Sequence, residues 1–553
     1  MAKITVDGTA LEVPDNSMLL PVLLDRGLQI PHYCYHPKLS IDGGCRMCLV
    51  KVEGLPKLTI SCNTPVRDGM VVDTCGPEVA KARRGVLELL LLNHPLDCPI
   101  CDQAGECYLQ DYAFEYGRRA ARTQEPRRKL LKRVDVGPRV VLDQERCILC
   151  RRCVRFCKEI TETRELGVFN LGDQSVVDIF PDEPLANDYS ICTADICPVG
   201  ALLSKDFHHK MRVWFLDETE SVCPGCSHGC NVKIGVARGQ VYRLLPRRND
   251  HVNDTWMCDG GRLGYRFINE DRLRSPRVRR GAAFETVSWD EALDRAATQL
   301  SDLVRRDGAS TLAAIVSPHL TNEELFTLSQ FISGGLRIQQ RDVAVVRGVA
   351  DDFLIKAEKA ANARGARDLG LAAGPEDVDL AKMRDAIEAG TIRGLFITGT
   401  DIWDVWGADA TRLLSRLETL VVLTPNAHPL VDLAHVVLPG MTFAEKSGTF
   451  TNVTGRVQRI HRALDPGSQP SDGEIFFQLG RRLGMEIAPG LFEPRRIFGE
   501  LARQIAAYGA PTLDGVTSFA CSAFSSSRSC SNAAMRPFVC AMFAFACATY
   551  FSS

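Results

Sequence analysis

The sequence has 553 residues, with 66 basic and 68 acidic side chains and a formal net charge of −2 at pH 7. This balance argues against nucleic acid or an anionic membrane surface as the main partner. A hydrophobic content of 45% fits a soluble globular protein, and the length is sufficient for several domains.

Neither a secretory signal nor a membrane-spanning helix is predicted. The first residues, MAKITVDGTALEV, indicate a strand and a turn, and not a basic segment followed by an apolar core. No apolar run reaches the roughly 18 residues that a transmembrane helix needs. We therefore expect a cytosolic protein that contacts a membrane only through partners.

The cysteines are unusual in their number and in their clustering along the sequence. Of 22 cysteines, 18 lie between Cys34 and Cys258, mostly in C-x2-C groups, and none lies between Cys258 and Cys521. In a reducing compartment this pattern indicates metal ligands and not disulfides. The sequence therefore predicts a metal-rich front and a metal-free back.

The front begins with a predicted β-grasp domain over residues 1–78. Residues 4–13 predict a hairpin that turns at Asp7 and Gly8. Ser17 is a candidate cap for a short helix, which a cysteine-bearing loop follows. Strand, hairpin, helix and loop in this order are typical of a small ferredoxin-type domain.

The first cysteine set lies in this domain, spaced C-x10-C-x2-C-x13-C, and consists of Cys34, Cys45, Cys48 and Cys62. Thiolates are soft ligands that favour zinc, copper or iron–sulfur clusters. Four of them suit a [2Fe–2S] cluster. A structural zinc site with four cysteine ligands is the alternative.

The second set lies in a predicted domain of residues 79–118, spaced H-x3-C-x2-C-x5-C, and consists of His94, Cys98, Cys101 and Cys107. A helix over residues 78–93 is predicted to end before Pro95. A [4Fe–4S] cluster competes here with a zinc site of three cysteines and one histidine. An imidazole in place of a thiolate removes one negative charge and tends to raise the reduction potential.

The third set lies in a predicted ferredoxin-like domain, residues 119–215, which opens with a basic linker. Its motif C-x2-C-x2-C supplies three ligands of a [4Fe–4S] cluster, namely Cys147, Cys150 and Cys153. The fourth ligand is Cys157 or Cys197. Use of Cys157 requires a second, mirrored motif, which is absent, so we favour Cys197, which precedes Pro198. Cys157 and Cys192 are then spare.

The fourth set lies in a predicted domain of residues 216–272, spaced C-x2-C-x3-C-x27-C, and consists of Cys223, Cys226, Cys230 and Cys258. It suits a [4Fe–4S] cluster, with zinc again as the alternative. Any single C-x2-C pair could bind zinc. Four complete sets, one after another along the chain, together indicate iron–sulfur clusters. Cys75 is left over and is expected to be a buried structural thiol.

Beyond about Ser288 the pattern becomes α/β. The segment SWDEALDRAATQL predicts an amphipathic helix, and residues 395–401 and 420–426 are apolar strands that end in Gly or Pro turns. Strands alternating with helices predict a parallel sheet. Residues 496–553 are predicted to be a poorly ordered tail, whose cysteines lack ligand-like spacing.

In their order and spacing, the first three sets resemble the large iron–sulfur subunit (the G subunit) of bacterial NADH:quinone oxidoreductase, respiratory complex I. The resemblance covers about residues 1–270. It implies a [2Fe–2S] cluster on the first set, a His-ligated [4Fe–4S] cluster on the second and a [4Fe–4S] cluster on the third. The fourth set resembles an extra [4Fe–4S] cluster of some bacterial members, thought to lie off the main electron path.

Residues 273–495 resemble a molybdopterin-oxidoreductase domain through SWDEAL, SPHLTNEE and HVVLPGMTFAEKSGTFTNVTGRVQ. Active relatives carry a lysine at the position of Gly260, and the α/β region looks too short for a cradle that holds two pterins. We therefore expect a degenerate, cofactor-free scaffold without molybdopterin. The resulting fold class is multidomain, α+β in front and α/β behind.

The resemblance implies an electron relay that carries single electrons from a flavin-bearing, NADH-oxidising partner towards quinone. Other peripheral-arm iron–sulfur subunits would be further partners, on the cytoplasmic side of a bacterial membrane. No residue is assigned a catalytic role, and none binds a cofactor beyond the cluster ligands. The alternatives are a molybdenum- or tungsten-dependent, NAD-linked formate dehydrogenase α subunit, a hydrogenase diaphorase subunit and a zinc-stabilised scaffold.

Overall fold

The computed structural model describes residues 1–374, 378–485, 492–505 and 508. The described chain divides into two compact units, residues 1–213 and the residues from Trp214 onward. No helix in these described ranges is both long and apolar enough to span a membrane. The cysteines predicted to lack ligand roles at the end of the chain, from Cys521 onward, lie outside the described residues.

The first unit opens with a five-stranded mixed sheet in the order β2-β1-β5-β3-β4. Its elements are β1 (Ala2–Val6), β2 (Thr9–Val13), α1 (Leu19–Asp25), β3 (Leu49–Val52), β4 (Thr59–Ile60) and β5 (Val71–Asp73). The turn between β1 and β2 uses Asp7 and Gly8 at φ +48° and +81°, as predicted. Helix α1 buries Leu19, Leu20 and Leu23 against the sheet. The β-grasp prediction is confirmed.

One local prediction in this domain is wrong. Ser17 does not cap α1, because its hydroxyl donates to the carbonyl of Pro14, 2.6 Å away. Met18 occupies the capping position and supplies no side-chain hydrogen bond. Instead, the amide of Leu19 donates to the carbonyl of Thr64 at 2.9 Å, so the start of the helix is satisfied by a distant backbone group.

Two longer helices, two short helices and two small sheets complete the first unit. The elements are α2 (Pro77–Asn93), α3 (Tyr108–Tyr116), β6 (Val134–Asp135), β7 (Val140–Leu142), α4 (Arg152–Glu159), β8 (Leu166–Phe169), β9 (Val176–Ile179), α5 (Cys192–Asp195) and β10 (Leu202–Ser204). Strands β10, β7 and β6 form one antiparallel sheet, and β8 and β9 form a hairpin. Helix α2 ends before Pro95, as predicted.

The second unit begins with a three-stranded antiparallel sheet that leads into two short helices. These elements are β11 (Asp217–Val222), β12 (Asn231–Ala237), β13 (Gln240–Pro246), α6 (Asp259–Leu263) and α7 (Arg266–Asn269). The fourth cysteine set lies at the ends of these elements, since Cys223 follows β11 and Cys258 precedes α6.

A seven-stranded sheet forms the body of the second unit, in the order β15-β14-β20-β19-β18-β16-β17. Its strands and the helices between them are β14 (Arg277–Arg280), β15 (Ala283–Thr286), α8 (Trp289–Asp307), β16 (Leu312–Val316), α9 (Asn322–Gln330), β17 (Arg341–Val343), α10 (Ala363–Asp368), α11 (Leu380–Glu388), β18 (Gly394–Thr398), α12 (Asp401–Trp406), α13 (Asp409–Leu414), β19 (Thr419–Thr424) and β20 (Val436–Pro439). The five strands from β17 to β20 in this order are parallel, which confirms the predicted parallel sheet.

Helices cover both faces of this sheet. Ala314 and Val316 of β16 belong to the core under α8 and α9, while Ala313 and Ile315 belong to the core under α11 to α13. Because successive strand residues point to opposite faces, a fully apolar strand is buried on both sides. Helix α8 starts at its capping residue, Ser288, whose hydroxyl accepts from the amide of Glu291 at 3.2 Å.

A hairpin and two helices complete the described chain, namely β21 (Gly448–Thr451), β22 (Val457–Ile460), α14 (Asp472–Arg482) and α15 (Pro494–Gln504). Helix α15 corrects the prediction that a poorly ordered tail begins at residue 496. Its Ile497, Phe498 and Leu501 are at most 1% exposed and join the core, since they recur at helical spacing on one face.

Candidate iron–sulfur sites

The structure brings the four members of the first set together at the edge of the β-grasp core. Cys34, Cys48 and Cys62 are each 1% exposed. The sulfurs of Cys34 and Cys45 are 3.3 Å apart, and this contact lowers the pKa of Cys45 and raises that of Cys34. A matching contact lowers the pKa of Cys48 and raises that of Cys62. Two close thiol pairs thus form a site suited to a metal that binds thiolates.

The second set starts where α2 ends, since His94 follows the last helical residue. The Nδ1 atom of His94 is buried and has no hydrogen-bond partner among the described residues. Burial, aided by Arg146, lowers the pKa of this ring to about 4, so the imidazole is neutral near pH 7. A neutral imidazole with an unbonded nitrogen has the form in which histidine binds metals.

The three cysteines of the second set surround a short 3-10 turn, Cys98–Ile100. Cys101 and Cys107 are buried, whereas Cys98 is exposed. Burial raises the pKa of Cys107 to about 12, and Cys101 interacts electrostatically with both other thiols. Buried neutral thiols of this kind lose their protons when a metal binds.

The third set lines one small cavity in the first unit, in which Cys147, Cys150, Cys153 and Cys197 all take part. Leu149 and Arg151 have left-handed φ values of +52° and +57°. This backbone turns the motif around the cavity and lets the Leu149 amide donate to Cys147 Sγ at 3.4 Å. Cys157 is fully buried and does not line the cavity. The geometry favours Cys197 over Cys157, although the ligand assignment itself stays a prediction.

Two sulfurs of the fourth set, in the second unit, accept hydrogen bonds from nearby backbone amides. The amide of Gly225 donates to Cys223 Sγ at 3.5 Å, and the amide of Gly261 donates to Cys258 Sγ at 3.3 Å. A Cβ atom at residue 261 would lie 3.0 Å from Cys223 Sγ, so glycine permits this approach. Amide hydrogen bonds to cysteine sulfur are one means by which a protein tunes a cluster.

The first and third sets are joined by two arginines of the motif CRRCVR. Arg152 donates to the carbonyls of Tyr35 and Ile196, which lie next to the two sets. Arg155 donates to the carbonyls of Cys34 and Cys150. These roles are not visible in the sequence, because nothing in the motif shows that its arginines reach residues more than a hundred positions away.

The third and second sets are joined by the loop that follows Cys197. The amide of Tyr108, next to Cys107, donates to the carbonyl of Pro198 at 3.0 Å. A Cβ atom at Gly200 would lie only 2.2 Å from Cys101 Sγ. The loop that carries one predicted ligand of the third set therefore packs directly against the second set.

One expectation about the remaining thiols is wrong. Cys75 is exposed and not buried, because it lies in the turn between β5 and α2, where its amide donates to the side chain of Asp73 at 3.0 Å. Cys157 and Cys192, which were predicted to be spare, are fully buried. All cysteines of the described residues are free of disulfide bonds.

Comparisons with protein families cover most of the described chain. Residues 1–76 match a 2Fe-2S iron–sulfur cluster binding domain, and residues 83–122 match the NADH-ubiquinone oxidoreductase-G iron–sulfur binding region. Residues 137–203 match the ferredoxin-like domain of NADH-quinone oxidoreductase subunit 3. Residues 216–270 match the Fe4S4 domain of molybdopterin oxidoreductases, and residues 272–352 and 348–482 match molybdopterin oxidoreductase itself. Domains that bind both cluster types are therefore present, and the predicted fold class is confirmed.

The proteins with similar sequences include subunits of NADH-quinone and NADH-ubiquinone oxidoreductases. The G subunit of the NADH-quinone oxidoreductase of Rickettsia bellii is 40% identical over 332 residues, which is 60% of this chain and 48% of that protein. The mitochondrial 78 kDa subunit of NADH-ubiquinone oxidoreductase of Neurospora crassa is 43% identical over 292 residues, covering 53% of this chain and 39% of that one. The chain thus spans about half the length of these relatives or less.

Among solved structures, a chain of the NAD+-reducing [NiFe]-hydrogenase in its H2-reduced state is 28% identical, with a TM-score of 0.35. The match covers 38% of this chain and 91% of that chain. A TM-score this low does not establish a shared fold. The sequence relatives and family matches together confirm the resemblance predicted from the cysteine pattern: the chain is similar to the G subunit of NADH-quinone oxidoreductase, and its back part is similar to molybdopterin oxidoreductases.

Proposed function

We propose that this chain is an electron-relay subunit of NADH:quinone oxidoreductase. The four sets would hold one [2Fe–2S] cluster, on the first set, and three [4Fe–4S] clusters, on the second, third and fourth. The observation that carries the proposal is the contact between sets in the first unit, where arginines join the first set to the third and one loop joins the third to the second. When bound, iron–sulfur clusters accept and release single electrons.

The protein's own residues position the ligands and shield most of the first and third sets from water. Cys34, Cys48 and Cys62 are almost inaccessible, and the third set lines an apolar cavity whose other walls include Leu142, Val177 and Val199. A low-polarity, water-poor environment is one of the features that set a cluster's potential. No side chain in these sites needs to act as an acid, a base or a nucleophile for such a relay.

The partners and the place of action follow from the same proposal. Electrons would come from a flavin-bearing subunit that oxidises NADH and would leave to another iron–sulfur subunit towards quinone. The chain would sit peripherally on the cytoplasmic side of a bacterial membrane, attached through these partners. The relatives are named as subunits of NADH-quinone and NADH-ubiquinone oxidoreductases, which supports a place in a complex of this kind. We also propose that the domains of the front part end at residues 78, 118, 215 and 272.

We also propose that the back part works without molybdopterin. In parallel sheets, ligands bind at the carboxyl ends of the strands where the strand order reverses, which here lies between β16 and β18. Asp401 occupies this point, accepting from the Ser317 hydroxyl at 2.8 Å and lying 3.3 Å from His319 Nε2. A carboxylate at this position would repel the negatively charged phosphates of a pterin dinucleotide. Gly260, where active relatives carry lysine, has open space around it.

The proposed relay is tested by anaerobic reduction of the purified chain. NADH alone should leave the chain oxidised, since it holds no flavin site in the proposal, whereas NADH with the flavin-bearing partner subunit should reduce it. EPR spectra before and after mixing report the reduction. Failure of the partner to reduce a chain that dithionite does reduce would contradict the proposed place in the complex.

A further inference from the structure

A partly buried network of charged side chains, of which Lys132 is 41% exposed, lies beside the second set. The side chain of Arg146 is 8% exposed and lies 3.0 Å from Asp97 and 3.2 Å from Asp143. Lys132 lies 2.7 Å from Asp97, 3.1 Å from Asp143 and 2.9 Å from Glu145. Each of the three carboxylates is thus paired with at least one cation, as partly buried charges require.

Arg146 is the member of this network that faces the predicted ligands. Its Cδ lies 3.8 Å from the point where a Cβ of Gly200 would be, and Cys101 Sγ lies 2.2 Å from the same point. The guanidinium charge also acts on both ligands: it adds to burial in lowering the pKa of His94 and opposes the rise that burial causes in the pKa of Cys101. The cation thus lies close to a histidine and a thiol of one site.

The same residue also belongs to the third set through its backbone. Arg146 immediately precedes Cys147, and its amide donates to Asp143 Oδ1 at 3.2 Å, which fixes the short turn before the motif. The side chain of Arg146 therefore lies near the second set, whereas its backbone is continuous with the motif of the third set.

We propose that Arg146, balanced by Asp97, sets the reduction potential of the second site relative to the third. This inference rests on the proposed function, because it requires clusters at both sites. Arg146 is not a ligand. Adding an electron to a site adds negative charge, so a nearby buried cation stabilises the reduced form and a nearby carboxylate destabilises it. The arginine thus raises the reduction potential of the second site, which favours the transfer of an electron from the third site to the second.

The test is a redox titration, followed by EPR, of the purified full chain and its variants. Arg146→Met removes the charge and keeps much of the stem, and should shift the second-site potential to a more negative value. Arg146→Lys keeps the charge and should stay close to the unchanged protein. Asp97→Asn should shift the potential in the opposite direction. The third-site potential should change less in every variant.

Arg122→Met is the matched control, because Arg122 is 68% exposed and pairs with Glu88 at the surface, where water and salt screen the charge. An unshifted second-site potential in Arg146→Met with both signals intact would overturn the inference. If that variant loses the signal, Asp97→Asn decides, since a positive shift supports the inference and an unchanged potential overturns it. Absence of all cluster signals from the unchanged chain would instead refute the proposed function.

Discussion

Gly200 is the residue at which the contact between the second and third sets is most easily tested. Its φ lies outside the left-handed region, so alanine brings no backbone penalty there. The added methyl group would lie 2.2 Å from Cys101 Sγ and 3.1 Å from Gln103 Cβ. A normal contact would require movement of more than about 1 Å, and overpacking of this kind costs about 1–3 kcal/mol.

We expect the movement to appear at Cys101, because the loop itself is held in place by the hydrogen bond from Tyr108 to Pro198. Gly200→Ala should therefore lower the stability of the first unit by about 1–3 kcal/mol and weaken or broaden the EPR signal of the second site. Urea unfolding of the anaerobic protein gives the first quantity, and iron content with EPR gives the second.

Gly85→Ala is the matched control, since Gly85 lies inside α2 and a Cβ there would meet nothing within 4 Å. Alanine in a helix interior should stabilise the protein by about 0.5–1 kcal/mol and leave every cluster signal unchanged. Equal behaviour of the two variants, with the second site intact in Gly200→Ala, would refute the claimed contact.

Three further predictions concern other buried groups. Lys446→Met should destabilise the second unit by about 3–5 kcal/mol in urea unfolding, because Lys446 lies 2.8 Å from Glu324 and 2.9 Å from Asp472, and all three side chains are at most 5% exposed. Burial raises the pKa of Glu323 to about 7. Its protonated form therefore contributes stability that is fully present below about pH 4.5 and is lost as the pH rises through about 7, and Glu323→Gln should remove up to ~3 kcal/mol of this pH dependence. Cys157→Ser should leave iron content and all EPR signals unchanged, since Cys157 lies outside the cavity of the third set.

Each of these predictions can fail in a recognisable way. A Lys446→Met protein as stable as the unchanged chain would mean that the two carboxylates do not need their cation. Unfolding curves with the same pH dependence before and after Glu323→Gln would remove Glu323 as the source. Loss of the third-site signal in Cys157→Ser would show that Cys157, and not Cys197, is the fourth ligand.

The sequence predicted those features that depend on local pattern. Turn residues Asp7 and Gly8, the amphipathic helix that begins after Ser288 and the apolar strands of the parallel sheet each act over a few positions, so their signal is local. The prediction that Ser17 caps α1 was wrong, because the first amide of the helix donates to the distant carbonyl of Thr64. The prediction that Cys75 is buried was wrong, because burial depends on packing that composition does not show.

The arrangement of the sets relative to one another could not be predicted. Arg152 and Arg155 look like surface charges in the sequence, yet they donate to carbonyls across the first unit. Gly200 looks like an ordinary loop glycine, and only its position beside Cys101 explains it. Such long-range contacts depend on the fold as a whole, whereas ligand spacing along the chain is visible directly.

The central claim is tested most directly by measuring iron, zinc and molybdenum per chain in anaerobically purified protein, together with the EPR spectrum after reduction. One [2Fe–2S] and three [4Fe–4S] clusters predict about 14 irons per chain and signals of both cluster types, without molybdenum. About four zincs per chain and no EPR signal would contradict the account and make the cysteine sets structural zinc sites.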